Sequence, residues 1–219
     1  MLTTQRAAER HPELLQRALA AGVVTALAAE DDFATISDST TPQGIVAVCR
    51  RVDVDLETAL AGTPRLIVCC AEIRDPGNAG TVIRCADAAG ADAVILGSAS
   101  VDLYNPKTVR ATTGSIFHLP IVVDADLSAA LSGCRDRGLQ ILAAAGGASD
   151  RLDELARTGE LARPTAWLMG NEARGLDADH LASADRAVSV PIYGAAESLN
   201  LSTAAAICLY ASAFAQRAH

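Results

Sequence analysis

Residues 65–97 read RLIVCCAEIRDPGNAGTVIRCADAAGADAVILG, and this stretch decides the fold class. It opens with a continuous apolar run, which is typical of a strand covered on both faces. NAGTVIRCADAAG then predicts a helix, because Val82, Ala86 and Ala89 recur at helical spacing, and ADAVILG predicts a second strand. This order indicates parallel strands joined by a crossover helix.

The same alternation of strands and helices continues to the C-terminus. Apolar runs occur in SIFHLPIVV, LQILAAAG, PTAWLMG and ADRAVSVPI, and helices are predicted in LSAALSGCRDRG and SLNLSTAAAICLYASAFAQRA. The sequence therefore predicts an α/β domain over residues 64–219, built on a mostly parallel sheet with helices on both faces.

A smaller α/β unit is predicted over residues 1–51. Apolar residues at spacings of three and four indicate an amphipathic helix over 11–21, and short strands are predicted at 23–27 and 45–49. The last strand follows the stretch DDFATISDSTTPQG. Residues 50–64 are polar at first and end in Gly62 and Pro64, which suggests a linker.

Composition restricts the function. Hydrophobic residues make up 50% of the 219 and charged residues 20%, so the chain can bury a core. Aromatic residues are only 3%, which argues against aromatic stacking platforms for single-stranded nucleic acid. A net charge of −8 means that any phosphate contact must come from a local basic cluster. Without a membrane-length apolar run or a secretory signal, we expect a cytoplasmic protein.

No metal site is expected. The six cysteines show no C-x-x-C spacing and lie among apolar or small residues, so we expect buried thiols. The histidines are His11, His118, His180 and His219, and none has a metal-ligand partner at helical spacing.

Three loops at predicted strand ends combine glycine with polar residues. In the first, Asn78 is a candidate N-cap, and Arg84 lies about 200° around the helix from Val82, away from the packed stripe. In the second, Glu172 lies between Gly170 and Gly175. In the third, Ser198 and Asn200 precede an apolar helix, and capping explains only one of them. Taken singly, these features also fit a solvated arginine, a turn and a helix cap.

The ordered set of motifs is far more specific. N-x-G-x-x-x-R at 78–84, M-G-N-E-x-x-G-L at 169–176 and V-P-I-x-G-x-x-x-S-L-N-L-S-x-A at 190–204 resemble the SpoU (TrmH) family of RNA ribose 2′-O-methyltransferases, of the SPOUT class. The resemblance covers residues 64–219. It implies a C-terminal deep trefoil knot and S-adenosylmethionine as cofactor. A dinucleotide-binding alternative lacks its G-x-G-x-x-G loop.

The resemblance also implies the site residues. The cofactor would be lined by Gly170, Val190, Ile192 and Leu199, largely through their backbone. Active-site positions of the family match Arg84, Asn78, Glu172, Ser198 and Asn200. Arg84 is sometimes described as the base, but a guanidinium stays protonated, so binding of the adjacent phosphate is the better role. Glu172 is expected to orient Arg84 or to accept a hydrogen bond.

Partners follow from the same resemblance. The family forms homodimers through the last helix, and residues 201–214 are apolar nearly all round, as expected for a helix that is both packed and paired. A buried core helix of a monomer would show the same pattern. RNA would meet a basic face of Arg65, Arg74, Arg84, Lys107, Arg110 and Arg174.

The N-terminal part, ending in TPQGIVAVC, resembles the later half of an L30e-like substrate-binding domain whose opening strand and helix are missing. We expect an incomplete recognition domain that binds RNA weakly and with strong salt dependence. The expected substrate is 23S ribosomal RNA. A tRNA 2′-O-methyltransferase and a non-catalytic RNA-binding or ribosome-assembly factor are the alternatives.

Overall fold

The computed structural model describes residues 1–36 and 42–218. These form two compact units, Met1–Arg51 and Val52–His219. Part of the stretch DDFATISDSTTPQG, the first residue of TPQGIVAVC and His219 lie outside the described residues.

The first unit contains a three-stranded sheet. Its elements are β1 (Leu2–Thr3), α1 (Gln5–Arg10), α2 (Pro12–Ala20), β2 (Ala26–Leu27), α3 (Glu30–Ile36) and β3 (Ile45–Val46). The strand order is β2-β1-β3, with β1 parallel to β2 and antiparallel to β3. The helix predicted over 11–21 corresponds to α2. The sequence patterns did not predict β1, α1 or α3, and β1 is the central strand of this sheet.

The second unit contains a seven-stranded sheet whose strand pairs are all parallel. Its strands are β4 (Leu66–Cys70), β5 (Ala93–Gly97), β6 (Ile121–Ala125), β7 (Gln140–Ala144), β8 (Asp150–Arg151), β9 (Thr165–Met169) and β10 (Arg186–Ser189). Their order in the sheet is β6-β5-β4-β9-β7-β10-β8. The predicted α/β class is confirmed.

Helices connect these strands. They are α4 (Leu56–Ala59), α5 (Pro76–Ala89), α6 (Pro106–Thr112), α7 (Leu127–Asp136), α8 (Leu152–Thr158), α9 (Ala178–Ala182) and α10 (Leu201–Arg217). Single 3-10 turns occupy Ser115–Phe117 and Glu160–Ala162. The predicted linker contains α4, and the Val54 N–H donates to the Ile121 carbonyl, so this stretch packs with the sheet.

The core lies on both faces of the sheet because successive side chains of each strand point to opposite sides. Along β4, Val68 packs in the cluster that includes residues of α5 and α10, whereas Ile67 packs in the cluster that includes residues of α4 and α7. Trp167 on β9 is fully buried, and its Nε1 donates to the Ser212 Oγ of α10 at 2.9 Å. These contacts fix α5 and α10 on one face, next to each other.

Helices α5 and α6 approach closely at Gly80. A Cβ at this position would lie 2.5 Å from both the Thr108 carbonyl oxygen and the Ala111 Cβ. Only glycine therefore allows the two helices to pack at this distance. The contact places α6 beside the first turns of α5.

Most cysteines are buried, but the expectation of burial is wrong for Cys49, which is exposed, and Cys85 is only partly buried. Within residues 1–36 and 42–218 no His, Cys, Asp or Glu cluster could hold a metal ion. Among the helices of those ranges, none has the length and apolar character needed to cross a membrane.

Candidate active site

The carboxyl ends of β4, β7, β9 and β10 lie at one edge of the sheet, because these strands are parallel. The loops that follow β4, β9 and β10 carry the three sequence motifs. A ligand site is expected at this edge in an open α/β sheet.

The first loop enters α5 through Asp75. The carboxylate of Asp75 caps the helix by accepting from the Asn78 N–H at 2.8 Å, and Pro76 occupies the first turn. The prediction that Asn78 is the N-cap is therefore wrong. Proline is favoured at the first helical position, so the helix begins at Pro76 and the cap is the residue before it, Asp75. The Asn78 side chain is left free to contact the other loops.

The second loop is a tight turn between Gly170 and Gly175. Asn171 and Gly175 exchange two main-chain hydrogen bonds of 2.9 Å, and Gly175 adopts a positive φ of 67°. A Cβ at Gly170 would lie 2.3 Å from the carbonyl carbon of Gly175. The glycines of this motif are thus required by backbone geometry.

Glu172, in this turn, binds the start of the first loop. Its carboxylate accepts from the main-chain N–H of Asp75 at 3.0 Å and of Arg74 at 3.2 Å, and from the Asn78 Nδ2 at 3.3 Å. Partial burial raises the pKa of Glu172, but the hydrogen bonds from these groups and from its own N–H outweigh burial, and the pKa lies below its ordinary value. Glu172 is therefore held as a carboxylate.

Asn200 links the third loop to the first. Its Oδ1 caps α10 by accepting from the N–H groups of Ser202 and Thr203, and its Nδ2 donates to the Asn78 Oδ1 at 3.0 Å. Glu172, Asn78 and Asn200 thus form one hydrogen-bond chain across three loops. Ser198 lies outside this chain and lines the adjacent cavity.

The cavity has a volume of about 590 Å³ and lies at the ends of β7, β9 and β10. Its lining combines glycines and aliphatic residues with polar residues that include Glu172, Arg174 and Glu197. The four residues predicted to hold the cofactor all line this cavity, namely Gly170, Val190, Ile192 and Leu199. Residues 144–147 also line the cavity and were not predicted, although the Gly146-Gly147 pair after β7 was a signal for them. The volume suits a small-molecule ligand, and the lining offers both aliphatic side chains and polar groups to bind it.

Arg84 lies apart from these groups. It is exposed on α5 between the buried Val82 and Ala86, as its helical position predicted. Within the described part of the chain, its guanidinium makes no hydrogen bond or ion pair. The expectation that Glu172 orients Arg84 is not realised, because Glu172 binds main-chain N–H groups and Asn78 instead.

Four of the six predicted basic residues divide into two groups. Arg74 and Arg174 pair with Glu72, and the Lys107 Nζ lies 3.4 Å from the Asp75 carboxylate, all near the site. Arg65 precedes β4 at the opposite edge of the sheet, and its guanidinium donates to the Ala162 carbonyl. Arg65 therefore does not belong to a basic face at this site.

These features define an α/β protein with a cofactor-sized cavity and a polar cluster at the carboxyl edge of a parallel sheet, the arrangement of many group-transfer enzymes. The chain belongs to the SpoU rRNA Methylase family, whose model matches residues 65–210. A second model, RNA 2′-O ribose methyltransferase substrate binding, matches residues 1–54.

Similar proteins include a 23S rRNA (guanosine(2553)-2′-O)-methyltransferase of Bacillus subtilis (strain 168), which is 38% identical over 88% of this chain and 73% of its own length. A solved AdoMet-bound rRNA methyltransferase from Sinorhizobium meliloti has a TM-score of 0.81 and 31% identity over 96% of this chain and 77% of its own. The SpoU methyltransferase AviRb from Streptomyces viridochromogenes, solved in complex with AdoMet, has a TM-score of 0.81 and 27% identity. The match covers 100% of this chain and 83% of AviRb.

Proposed function

We propose that this protein transfers the methyl group of S-adenosylmethionine to a ribose 2′-OH of 23S ribosomal RNA. The observation that carries the proposal is the Glu172–Asn78–Asn200 chain at the mouth of the cavity, which joins the three family motifs into one site. The similarity to a 23S rRNA 2′-O-methyltransferase over most of the chain supports the substrate class.

Gly170, Val190, Ile192 and Leu199 would hold the cofactor. S-adenosylmethionine supplies an electrophilic methyl group on a sulfonium. Gly170 would contact the cofactor through its main chain, because the neighbouring main chain of Gly175 leaves no space for a side chain there. Val190, Ile192 and Leu199 offer aliphatic cover for a heterocycle, and main-chain amides and carbonyls of the same loops can read its polar edge.

Arg84 would bind the phosphate next to the reacting ribose. Its guanidinium remains protonated at any working pH, so it cannot accept the proton of the 2′-OH. Its guanidinium is exposed and has no hydrogen-bond partner among residues 1–36 and 42–218, which suits an anion. Holding that phosphate orients the hydroxyl and stabilises negative charge that develops on its oxygen.

Asn78, Glu172, Ser198 and Asn200 would complete the active site. Glu172 and Asn200 fix the Asn78 side chain from two sides, so that its amide presents a constant orientation to the ribose. The Ser198 hydroxyl, exposed at the cavity wall, is placed to contact a group that enters from solvent. Three of these four residues therefore act by fixing the geometry of the loops.

Transfer of labelled methyl from S-adenosylmethionine to RNA tests the proposal. Unmodified 23S rRNA should become labelled and tRNA should not, and mapping of 2′-O-methyl sites in cells with and without the gene should locate the nucleotide. Labelling of tRNA alone would favour the tRNA alternative. Cofactor binding by calorimetry without transfer to any RNA would favour the non-catalytic assembly factor.

A homodimer through α10 is part of the same proposal. Ile207, Tyr210 and Phe214 recur at helical spacing on the outer face of α10, and Phe214 is 69% exposed. An apolar stripe of this kind on a charged protein surface is typical of an interface. The supporting feature is thus the exposed side of the helix, whereas its other side packs in the core.

We further assign RNA recognition to residues 1–51 and catalysis to residues 64–219, in a cytoplasmic protein with the trefoil knot of the SPOUT class at its C-terminus. Acidic residues outnumber arginines in the first 51 residues, so this unit adds no net attraction for RNA. Binding should accordingly weaken by orders of magnitude between low and physiological salt. Filter binding at several salt concentrations checks this expectation.

A further inference from the structure

A cluster of one carboxylate and two arginines lies beside the proposed active site. The two Glu72 carboxylate oxygens contact different guanidinium groups, Oε1 that of Arg74 and Oε2 that of Arg174, the latter at 2.5 Å. In addition, the Asn171 Nδ2 donates to the Glu72 carbonyl at 3.1 Å. The loop after β4 and the turn after β9 are thereby joined through side chain and main chain.

The two arginines retain most of their binding capacity. Glu72 is largely buried, with 20% of its side chain exposed, whereas the side chains of Arg74 and Arg174 are 65% and 70% exposed. A guanidinium has five N–H donors in a planar fork, and the contact with Glu72 uses the Nη2 of each. The planar fork of each exposed guanidinium matches the geometry of a phosphate.

The neighbouring carboxylates do not compete for these donors. Asp75 accepts from the Asn78 N–H and from Lys107, and Glu172 accepts from the main chain and from Asn78. The charges of this cluster balance, because the cations Arg74, Lys107 and Arg174 are equal in number to the carboxylates Glu72, Asp75 and Glu172. Anion binding here must therefore depend on the placement of hydrogen-bond donors rather than on net charge.

The position of the cluster indicates which anion it would bind. Both arginines line an outer cleft of about 490 Å³ together with Asn78 and Glu172, and only Arg174 also lines the cofactor cavity. A group between the two guanidiniums would thus lie outside the cavity and next to the polar chain that faces the ribose. This favours a phosphodiester of the substrate over the carboxylate of the cofactor.

We propose that Arg74 and Arg174 bind one phosphodiester of the RNA substrate, and that Glu72 is the positioning residue that holds both guanidiniums in place. The inference rests on the proposed function and adds a second phosphate contact to that of Arg84. It assigns a specific role to a carboxylate that, by charge alone, would repel RNA.

The Glu72→Gln variant distinguishes a carboxylate that positions the two arginines from one that only neutralises their charge, because the two roles predict opposite changes in RNA binding. A carboxylate that merely neutralises the arginines would, once removed, leave a more positive cleft and tighter RNA binding. A positioning carboxylate would, once removed, release both guanidiniums and weaken RNA binding despite the gain in positive charge. We expect the KM for unmodified 23S rRNA to rise roughly fivefold or more, with kcat less affected.

Three comparisons make the test specific. Glu72→Gln should have little effect in an Arg74→Gln/Arg174→Gln background, because the interaction that it disrupts is already absent. Glu57→Gln, an amide replacement on α4, should leave the KM unchanged. The Kd for S-adenosylmethionine, measured by calorimetry, should be the same in all variants.

Tighter RNA binding or an unchanged KM in Glu72→Gln would overturn the inference, and so would a weaker cofactor Kd, which would assign the arginines to the cofactor carboxylate. Failure of the proposed function has a different signature, because wild-type protein would then transfer no methyl group to RNA. Filter binding of the same RNA measures the Glu72→Gln effect without turnover. The role of Glu72 is therefore tested whether or not the protein transfers a methyl group.

Discussion

At the scale of single residues, the site separates groups that bind one another from groups left free for ligands. Asn78 is hydrogen-bonded to both Glu172 and Asn200. Glu172 also accepts from main-chain N–H groups of the first loop, and Asn200 caps α10. Arg84 and Ser198 instead present exposed polar groups. We expect the first set to respond to mutation through loop geometry and the second through substrate contact.

Replacement of Arg84 tests substrate contact. Arg84→Ala should lower methyl transfer by about 10²-fold or more, because a charge-assisted contact to the transition state costs a few kcal/mol when lost. Stability and S-adenosylmethionine affinity should stay near wild type, since the side chain has no partner among the described residues. The matched control is Arg157→Ala on α8. More than a tenth of wild-type activity in Arg84→Ala would refute the role.

Replacement of Glu172 tests loop geometry and has a pH signature. Hydrogen bonds from main-chain N–H groups lower the pKa of Glu172 in the folded state, so its stabilising effect is present above the ordinary pKa and is lost as the pH falls through the folded-state value. Urea unfolding should show Glu172→Gln less stable than wild type by about 1 kcal/mol at pH 7, with a smaller difference near pH 3. An equal difference at both pH values would contradict this account.

Sequence reasoning at this scale identified which residues meet but not how they bond. The motifs predicted that Asn78, Glu172 and Asn200 belong to one site. They did not show that Asp75 caps α5 or that Glu172 binds main chain rather than Arg84. A motif fixes residue types at a spacing, whereas the direction of a side chain depends on the loop that faces it.

At the scale of elements, the contact between α5 and α6 is the tightest constraint near the site. The Gly80 Cα faces the Thr108 carbonyl and Ala111, and neither can move without shifting α6. Because α6 carries Lys107 and Arg110, its position also sets where two cations lie relative to α5.

Gly80→Ala should therefore destabilise the fold by about 1–3 kcal/mol, since overpacking outweighs the gain in helix propensity of about 1 kcal/mol. Urea unfolding measures the change. Gly194→Ala is the matched control, because a Cβ there meets no atom within 4 Å, and its effect should stay within about 0.5 kcal/mol. A more stable Gly80→Ala would show that α6 can move away without cost.

Elements differed in how well the sequence predicted them. The long apolar strands and helices α5, α7 and α10 were predicted because their periodicity extends over many residues. The two-residue strands β1 and β8 and the five-residue α9 are too short to carry periodicity, and tertiary contacts define them. The same limit explains why α4 was taken for a linker.

At the scale of the whole molecule, the outer face of α10 carries the exposed apolar residues of the proposed dimer interface. Leu209 is fully buried in the core, so a charge there would unfold the protein rather than separate subunits. Phe214 is exposed, and its ring contacts Tyr210 at a centroid distance of 5.6 Å. The proposed interface can therefore be changed at Phe214 without touching the core.

Phe214→Glu should convert a dimer to a monomer that remains folded, because an unpaired charge is strongly unfavourable in an apolar interface. Light scattering at micromolar concentration measures the mass. Gln16→Glu, which adds the same charge to α2 in the first unit, is the control and should remain dimeric. A monomeric wild type would refute the interface.

Trp167 gives the molecule a built-in optical reporter. It is the one tryptophan in the chain, it lies in β9, and its indole N–H is hydrogen-bonded to Ser212 of α10. The fluorescence emission of Trp167 should be blue-shifted while α10 is packed on the sheet. It should shift to the red when that contact opens, because the indole is then exposed to solvent. Residues 1–51 contain no tryptophan, so their melting is invisible to this signal but visible to circular dichroism. A gap between the two melting curves would measure how independently the two units fold.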